Sequence, residues 1–97
     1  MVTGAMLAAT AVPATAGYIG TYAKNNVKIR TGPYTSSTLV GQGYLGQDNC
    51  MSYYRTGTVV DGVNRWWYHV NFSNGKRGYS AEERLRVYSA LYACYDV

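Results

Sequence analysis

The sequence predicts a small all-β domain, a barrel of five to seven short strands. Short stretches alternate apolar and polar residues with the period of two that is typical of strands. Turn residues, including many of the eleven glycines, separate these stretches, and no stretch has the spacing of an amphipathic helix. Eleven Tyr and two Trp against one Phe also favour sheet. A chain of 97 residues provides one hydrophobic core and hence one domain.

Residues 1–16 differ in composition from the rest of the chain. They carry no charge and end in Ala14-Thr15-Ala16, which is typical of the apolar part of a signal peptide before an Ala-x-Ala cleavage site. The basic start of a signal peptide is missing, so we interpret residues 1–16 as a truncated or mis-started signal peptide. The run is too short to span a bilayer. The alternative is a short buried or disordered apolar segment.

The domain proper is predicted to cover residues 27–87. The preceding residues, 17–26, are polar, rich in small side chains and without a period, which predicts an irregular segment. In the first strand Val27 and Ile29 alternate with polar neighbours, and Thr-Gly-Pro at 31–33 then forces a turn. Glycines interrupt the apolar residues of 38–45, which indicates a bent or bulged strand.

The strongest strand pattern lies at residues 66–72, after a strand at 50–56 and a long hairpin connection at 57–65. Alternation divides this pattern into two faces, with Trp66, Tyr68, Val70 and Phe72 on one and Trp67, His69 and Asn71 on the other. We expect the first face to point into the core. His69 is expected at the surface of the sheet or half buried in it.

The remaining predicted elements are short. Asn74-Gly75 is typical of a tight hairpin turn, and it leads into a strand at 76–79. Ser80 is suited to cap a single helical turn, and a last strand is expected around Leu85 and Val87. Residues 88–97 then form a C-terminal tail.

Cys50 and Cys94 are the only cysteines. An even number of cysteines in a short exported chain predicts a disulfide, which would staple the tail to the strand that begins near Cys50. A loop of this length contributes about 4 kcal/mol in the chain-entropy description. In a reducing compartment, the alternative is a pair of buried free thiols.

Charge and motifs argue against several classes of function. Nine Lys and Arg against five Asp and Glu give a net charge of +4, without the basic run of a nucleic-acid-binding arm. His69 is the only histidine, so the chain offers neither a catalytic triad nor, with two cysteines, a structural zinc site. No phosphate-binding glycine loop is present. We therefore expect no enzyme, no cofactor and no metal.

Several motifs together resemble bacterial SH3 domains. They are NVKIRTGP at 26–33, Gly46, WYHV at 67–70, GKRGY at 75–79 and a closing Leu85. The resemblance covers about 27–87, and the position of Cys50 is similar to that in the exported actinobacterial branch. It implies an SH3-like barrel that binds peptidoglycan or its peptide bridges and does not catalyse. The Pro and Tyr that eukaryotic SH3 domains carry near Ala81 and Arg84 are absent, which argues against PxxP ligands.

The predicted binding residues are aromatic and arginine side chains in or beside loops at one end of the barrel: Tyr34, Tyr54, Arg65, Trp66, Trp67 and Arg84. Aromatic rings stack on sugars and peptide groups, and arginines pair with carboxylates. By resemblance to eukaryotic SH3 domains, Trp67 takes the place of the Trp that lines their peptide groove.

These observations predict a secreted, monomeric binding module that is extracellular or associated with the cell wall. Its expected partner is a wall glycan or peptide, or a protein, with no nucleic acid and no membrane span. The alternative function is an exported protein-interaction module or inhibitor without wall affinity.

Overall fold

The computed structural model describes residues 16–95, which form seven β-strands and one short 3-10 turn. The strands are β1 (Ala16–Tyr22), β2 (Val27–Arg30), β3 (Leu39–Gly43), β4 (Asp48–Val60), β5 (Val63–Asn71), β6 (Arg77–Ala81) and β7 (Leu85–Tyr95), and the 3-10 turn is Glu82–Arg84. This part of the chain contains no helix long and apolar enough to cross a membrane. The signal peptide predicted for 1–16 lies outside the described residues, apart from Ala16.

All seven strands belong to one antiparallel sheet with the order β3-β2-β6-β5-β4-β1-β7. The prediction of a small all-β domain with five to seven strands is confirmed and is consistent with an SH3-like fold. The sheet is not closed, since β3 and β7 form its two edges within the described part. The fold therefore differs from a fully closed barrel.

The long hairpin of β4 and β5 turns at Asp61-Gly62, where φ is 50° and 84°. Two-residue hairpin turns of this kind require positive φ at both positions. The prediction of a long connection at 57–65 was wrong, because both strands continue up to this turn. The strand expected at 50–56 accordingly extends as far as Val60.

Residues 17–26 were expected to be irregular, but most of them form β1. Tyr18 and Ile19 pair with Met51 and Cys50 of β4, while the other side of β1 pairs with β7. Neighbours on both sides supply the backbone hydrogen bonds that the strand needs. Pairing between strands thus overrides a weak local pattern.

The predicted disulfide joins Cys50 to Cys94, with 5.8 Å between their Cα atoms. The two cysteines lie on β4 and β7, the strands on either side of β1. In a flat sheet, two strands with one strand between them are about 9.5 Å apart. Because Cys50 and Cys94 are closer than that, the sheet is folded sharply at β1. The register of β1 against β7 shifts at Tyr18, Ile19 and Gly20, which marks the bend. The tail is therefore part of the sheet, as β7, as well as stapled to it.

Among the described side chains, the apolar core includes three small groups of buried residues along the folded sheet. They are Tyr22, Val27 and Ile29; Cys50, Val70 and Cys94; and Trp66, Tyr79 and Ala81. The central strand β5 contributes to the second and third groups through Val70 and Trp66. For these two residues the expected core face is confirmed.

The expectations for two other residues of this pattern, Phe72 and His69, were wrong. Phe72 is 49% exposed, because β5 ends at Asn71 and Phe72 lies in the following turn. His69 is fully buried rather than at the surface, and its ring contacts Tyr22 edge-on at 5.6 Å. Both faces of β5 are covered here, so alternation alone does not separate inside from outside.

The expected helical cap at Ser80 is also replaced by a different contact. Ser80 lies within β6, and its hydroxyl donates a hydrogen bond of 2.6 Å to the carbonyl oxygen of Lys28 in β2. Ala81 precedes the 3-10 turn, with no side-chain cap. The hydroxyl thus ties β6 to β2, and the turn that follows carries Glu82, Glu83 and Arg84 to the surface.

Candidate functional site

The six predicted binding residues do not form one site, because the structure distributes them over three places. Tyr54, Arg65 and Trp67 lie together on one face of the β4–β5 hairpin. Trp66 and Arg84 line a cavity that reaches the opposite face of β5. Tyr34 lies in the loop between β2 and β3, next to Arg55.

The first group is an exposed set of side chains that we call the aromatic platform: Tyr18, Tyr54, Arg65 and Trp67. Tyr54 pairs with Trp67 across β4 and β5, which places both side chains on one face. Their ring centroids are 5.2 Å apart, and Tyr18 meets the other side of Trp67 edge-on at 5.9 Å. Tyr18 and Tyr54 are 41% and 49% exposed. Two exposed rings therefore flank the partly exposed ring of Trp67.

Glu82 fixes the polar atoms of the platform. Trp67 donates its Nε1 hydrogen to Oε1 of Glu82 at 2.8 Å, and an Nη of Arg65 donates to Oε2 of the same carboxylate at 3.1 Å. The Arg65 guanidinium also lies 5.4 Å from the centre of the Tyr54 ring, a cation–π distance. Both side chains are thus held in place before any ligand arrives.

A small cavity of about 70 Å³ adjoins the platform beneath Trp67. Met51, Leu85 and Val87 line it together with Trp67 and Glu82. Its walls are mostly apolar, and the volume of a water molecule in the liquid is about 30 Å³. A ligand substituent of a few heavy atoms fits there.

Sequence reasoning missed two residues of this surface, Tyr18 and Glu82. Tyr18 lies in the segment that was expected to be irregular, and Glu82 in a turn where acidic residues commonly act as caps. Neither carries a local signal for binding. Only the pairing of β1 with β4 and the return of the chain after β6 bring them to Trp67.

Trp66 occupies the core rather than a binding surface. It is 3% exposed, and its Nε1 donates a hydrogen bond of 2.8 Å to the carbonyl oxygen of Thr58. The stacking role expected for Trp66 is therefore not supported. Adjacent strand residues point to opposite faces, so Trp66 and Trp67 could not both belong to one surface.

Tyr34 is half exposed and lines an open hollow with Pro33, Arg55 and Thr56. Its loop is fixed to β4, because the Thr58 amide donates to the Pro33 carbonyl oxygen at 3.1 Å. Within residues 16–95, the Tyr34 ring makes no ring contact with the platform. The structure therefore does not assemble Tyr34 with Trp67.

A second aromatic cluster lies on the other face of the hairpin: Tyr53, Tyr68 and Tyr79. Tyr53 and Tyr68 stack at 5.2 Å, and the hydroxyls of Tyr53 and Tyr79 are 3.2 Å apart. Burial, followed by the contact with Tyr53, raises the pKa of Tyr79. Tyr53 is 41% exposed and receives Arg55 above its ring at 5.7 Å. Both faces of the hairpin thus carry tyrosine rings with an arginine beside them.

His69 is poorly placed for acid–base chemistry. Burial lowers its pKa to about 4, and its Nε2 has no hydrogen-bond partner among the described residues. Within residues 16–95, no three His, Cys, Asp or Glu side chains are grouped as metal ligands. A ligand at the surface does not reach His69.

Comparison with protein-family models, with curated proteins and with solved structures gives no match. The bacterial SH3 assignment remains a prediction from the motifs.

Proposed function

We propose that this chain is an exported, non-catalytic binding module that holds a glycan or peptide of the cell wall on the aromatic platform. The row of Tyr18, Trp67 and Tyr54 carries the proposal. Neighbouring rings on three adjacent strands, β1, β4 and β5, suit an extended polymer, which contacts several rings in succession. Exposed rings do not stabilise the hydrophobic core, and exposed apolar patches commonly mark binding sites.

Each part of the platform has a role in this proposal. The rings of Tyr54 and Trp67 provide apolar area for the C–H face of a sugar or for a peptide plane. Arg65 offers further N–H donors to hydroxyls or carboxylates while Glu82 holds it in place. The 70 Å³ cavity under Trp67 has room for a substituent such as an acetamido methyl group, which the sugars of peptidoglycan carry.

Export is supported by the disulfide, because such bonds persist in oxidising compartments. The Ala-x-Ala sequence before Gly17 points the same way. Cleavage after Ala16 would leave β1 almost whole, since this strand begins at Ala16. The mature chain would therefore keep Tyr18 on the platform.

A protein-interaction module without wall affinity is the second candidate. The cluster of Tyr53, Tyr68 and Tyr79 favours it, because Tyr53 exposes a ring on a face of the hairpin that the aromatic platform does not use. Tyrosine and arginine are enriched in protein interfaces. In this case Tyr53 and Arg55 carry the contact and Trp67 does not.

Co-sedimentation of residues 17–97 with purified peptidoglycan tests the proposal. We expect the wild type to sediment at low and at moderate salt, because stacking is insensitive to ionic screening. Tyr54→Ala and Trp67→Ala are each expected to weaken binding at least about fivefold. Tyr44→Ala is the matched control, since Tyr44 is an equally exposed tyrosine in the turn after β3.

Three outcomes would overturn the proposal: no sedimentation of the wild type, equal losses for Tyr44→Ala and Tyr54→Ala, or binding that disappears at moderate salt. Tyr54→Ala is expected to perturb folding less than Trp67→Ala. The Tyr54 side chain is half exposed, whereas the Trp67 side chain is hydrogen-bonded to Glu82. If only Tyr53→Ala affects capture of a protein partner, the second candidate replaces the first.

A further inference from the structure

Strands β2 and β6 separate shortly after they meet. They pair through a single position, Arg30 with Tyr79. Further along, the Ser80 hydroxyl bonds to the Lys28 carbonyl oxygen. A cavity of about 370 Å³ opens between the diverging strands. Binding sites for small molecules have volumes of about 300–1,000 Å³, so this cavity is large enough to be one.

The floor of the cavity is apolar and fixed. Trp66 and Ala81 form it, and they are 3% and 5% exposed. The Trp66 ring cannot turn freely, because its Nε1 is bonded to the Thr58 carbonyl oxygen. Val60 adds a further apolar wall. A flat apolar group would find a preformed surface here.

The rim of the cavity is strongly basic. Four cationic side chains contribute to it: Lys24, Lys28, Arg30 and Arg84. No Asp or Glu is among the described residues that line the cavity. Two carboxylates outside it, Glu83 and Asp61, contact Lys24 and Arg84 at 3.0–3.8 Å. Four positive charges thus face two negative ones, which leaves a net charge of +2 at the rim.

The uncompensated charges are those of β2. Lys28 is exposed and has no ion-pair partner among the described residues. Arg30 donates one hydrogen bond, of 3.0 Å, to the Ser37 carbonyl oxygen, and its other N–H donors face no described carboxylate. A guanidinium and an ammonium at one rim are the groups that bind carboxylate or phosphate oxygens.

We propose that this cavity binds a small organic oxyanion, a carboxylate or phosphate joined to a flat apolar group. The oxyanion contacts Lys28 and Arg30 at the rim, and the apolar group lies on the floor of Trp66 and Ala81. The site is separate from the aromatic platform, because Trp66 and Trp67 point to opposite faces of β5. It adds a second ligand to the proposed function and does not depend on it.

Titrations with simple probes test this site. The probes are phenyl phosphate and benzoate, with phenol as the neutral analogue and inorganic phosphate as the analogue without a ring. Calorimetry and amide NMR shifts report binding. We expect one of the two aromatic anions to bind at least about tenfold more tightly than phenol and inorganic phosphate, with shifts centred on Val27 and Ala81. The tighter anion identifies the oxyanion.

Lys28→Glu is the decisive variant, and Lys76→Glu is its control with the same change of charge. Lys76 is exposed and does not line the cavity. We expect Lys28→Glu to raise the Kd at least about tenfold and Lys76→Glu to leave it within about twofold. Lys28→Gln, a milder change at an exposed position, confirms the effect if Lys28→Glu perturbs folding.

The proposal is overturned if phenol binds as tightly as the aromatic anions, if none of the probes binds, or if Lys28→Glu and Lys76→Glu lose affinity equally. Trp67→Ala separates this proposal from the previous one. That variant is expected to retain binding of the aromatic anion while it loses binding to peptidoglycan. Loss of both activities in Trp67→Ala would overturn the separation of the two sites.

Discussion

His69 is the residue whose environment departs furthest from its ordinary chemistry. It is fully buried, and its Nδ1 lies 3.0 Å from the carbonyl oxygen of Trp67. A carbonyl oxygen only accepts, so Nδ1 carries the hydrogen. Burial disfavours the charged ring and lowers the pKa of His69 from 6.5 to about 4.

This burial predicts that the domain loses stability in mild acid. Between pH 6.5 and pH 4 the unfolded His69 binds a proton that the folded one excludes, so the stability present above pH 6.5 falls as the pH drops towards 4. The total loss is about 3 kcal/mol. Urea unfolding at pH 7.5 and pH 4.5 measures most of this loss, which is complete only below pH 4. His69→Gln removes the titration, and an unchanged pH dependence in that variant would contradict the assignment.

At the scale of elements, the loop between β2 and β3 is fixed to β4 by close backbone contact. The Thr58 amide donates to the Pro33 carbonyl oxygen, and the Thr58 hydroxyl accepts a hydrogen bond from the Thr35 amide at 3.2 Å. Gly57 permits this approach, because a Cβ at this position would meet the Pro33 carbonyl oxygen. The missing side chain thus sets the position of Tyr34.

Gly57→Ala is therefore expected to push the loop away from β4. Overpacking of this kind costs about 1–3 kcal/mol of the free energy of unfolding. Urea unfolding measures that cost, and hydrogen exchange of the Thr58 amide reports the loss of its bond to Pro33. The control is Thr56→Ala, an exposed position on the same strand. Protection of Thr58 in Gly57→Ala equal to that in wild type would show that the loop is held elsewhere.

At the scale of the whole molecule, one covalent bond supports a sheet whose core is divided into three small groups. Among the described side chains, each group contains three buried residues. The disulfide belongs to the second group, where Ile19 and Val70 pack beside it. It fastens the sheet where the sheet folds sharply.

Reduction of the disulfide is expected to destabilise the domain by about 4 kcal/mol, from the 44-residue separation of the two cysteines. Small domains have about 5–15 kcal/mol in total, so the reduced protein should unfold at a much lower temperature. Thermal unfolding with and without reductant measures this. The variant with both Cys50→Ala and Cys94→Ala should not respond to reductant. Equal unfolding temperatures for oxidised and reduced wild type would contradict the expectation.

The sequence was sufficient to predict an element wherever its local pattern agrees with its environment in the folded chain. The alternation of Val27 and Ile29 predicted β2, and the two cysteines predicted the disulfide. It was insufficient for β1, whose stability comes from neighbours on both sides, and for His69, since a second layer covers its face of β5. Tyr22, at the end of β1, contacts the His69 ring, so the missed strand also explains part of the burial of His69.

The candidate site was predictable only in part, for a similar reason. Tyr54 and Trp67 were suggested as aromatic residues in or beside loops at one end of the barrel, and Trp67 also by resemblance to eukaryotic SH3 domains. Glu82 and Tyr18 reach Trp67 from chain segments far away in sequence, and no local period signals that approach. Trp66 was assigned to binding although its own alternation placed it on the core face, and burial decides in favour of the alternation.

The pairing of β1 with β7 brings the two ends of the described chain together. Ala16 is the register partner of Tyr95, and Gly17 that of Cys94. Partners in an antiparallel pair lie about 5 Å apart, a gap that a linker of a few residues spans. A circular permutant opened between Asp61 and Gly62 is therefore expected to keep the fold, and the whole unit is suited to insertion in a surface loop of a larger protein.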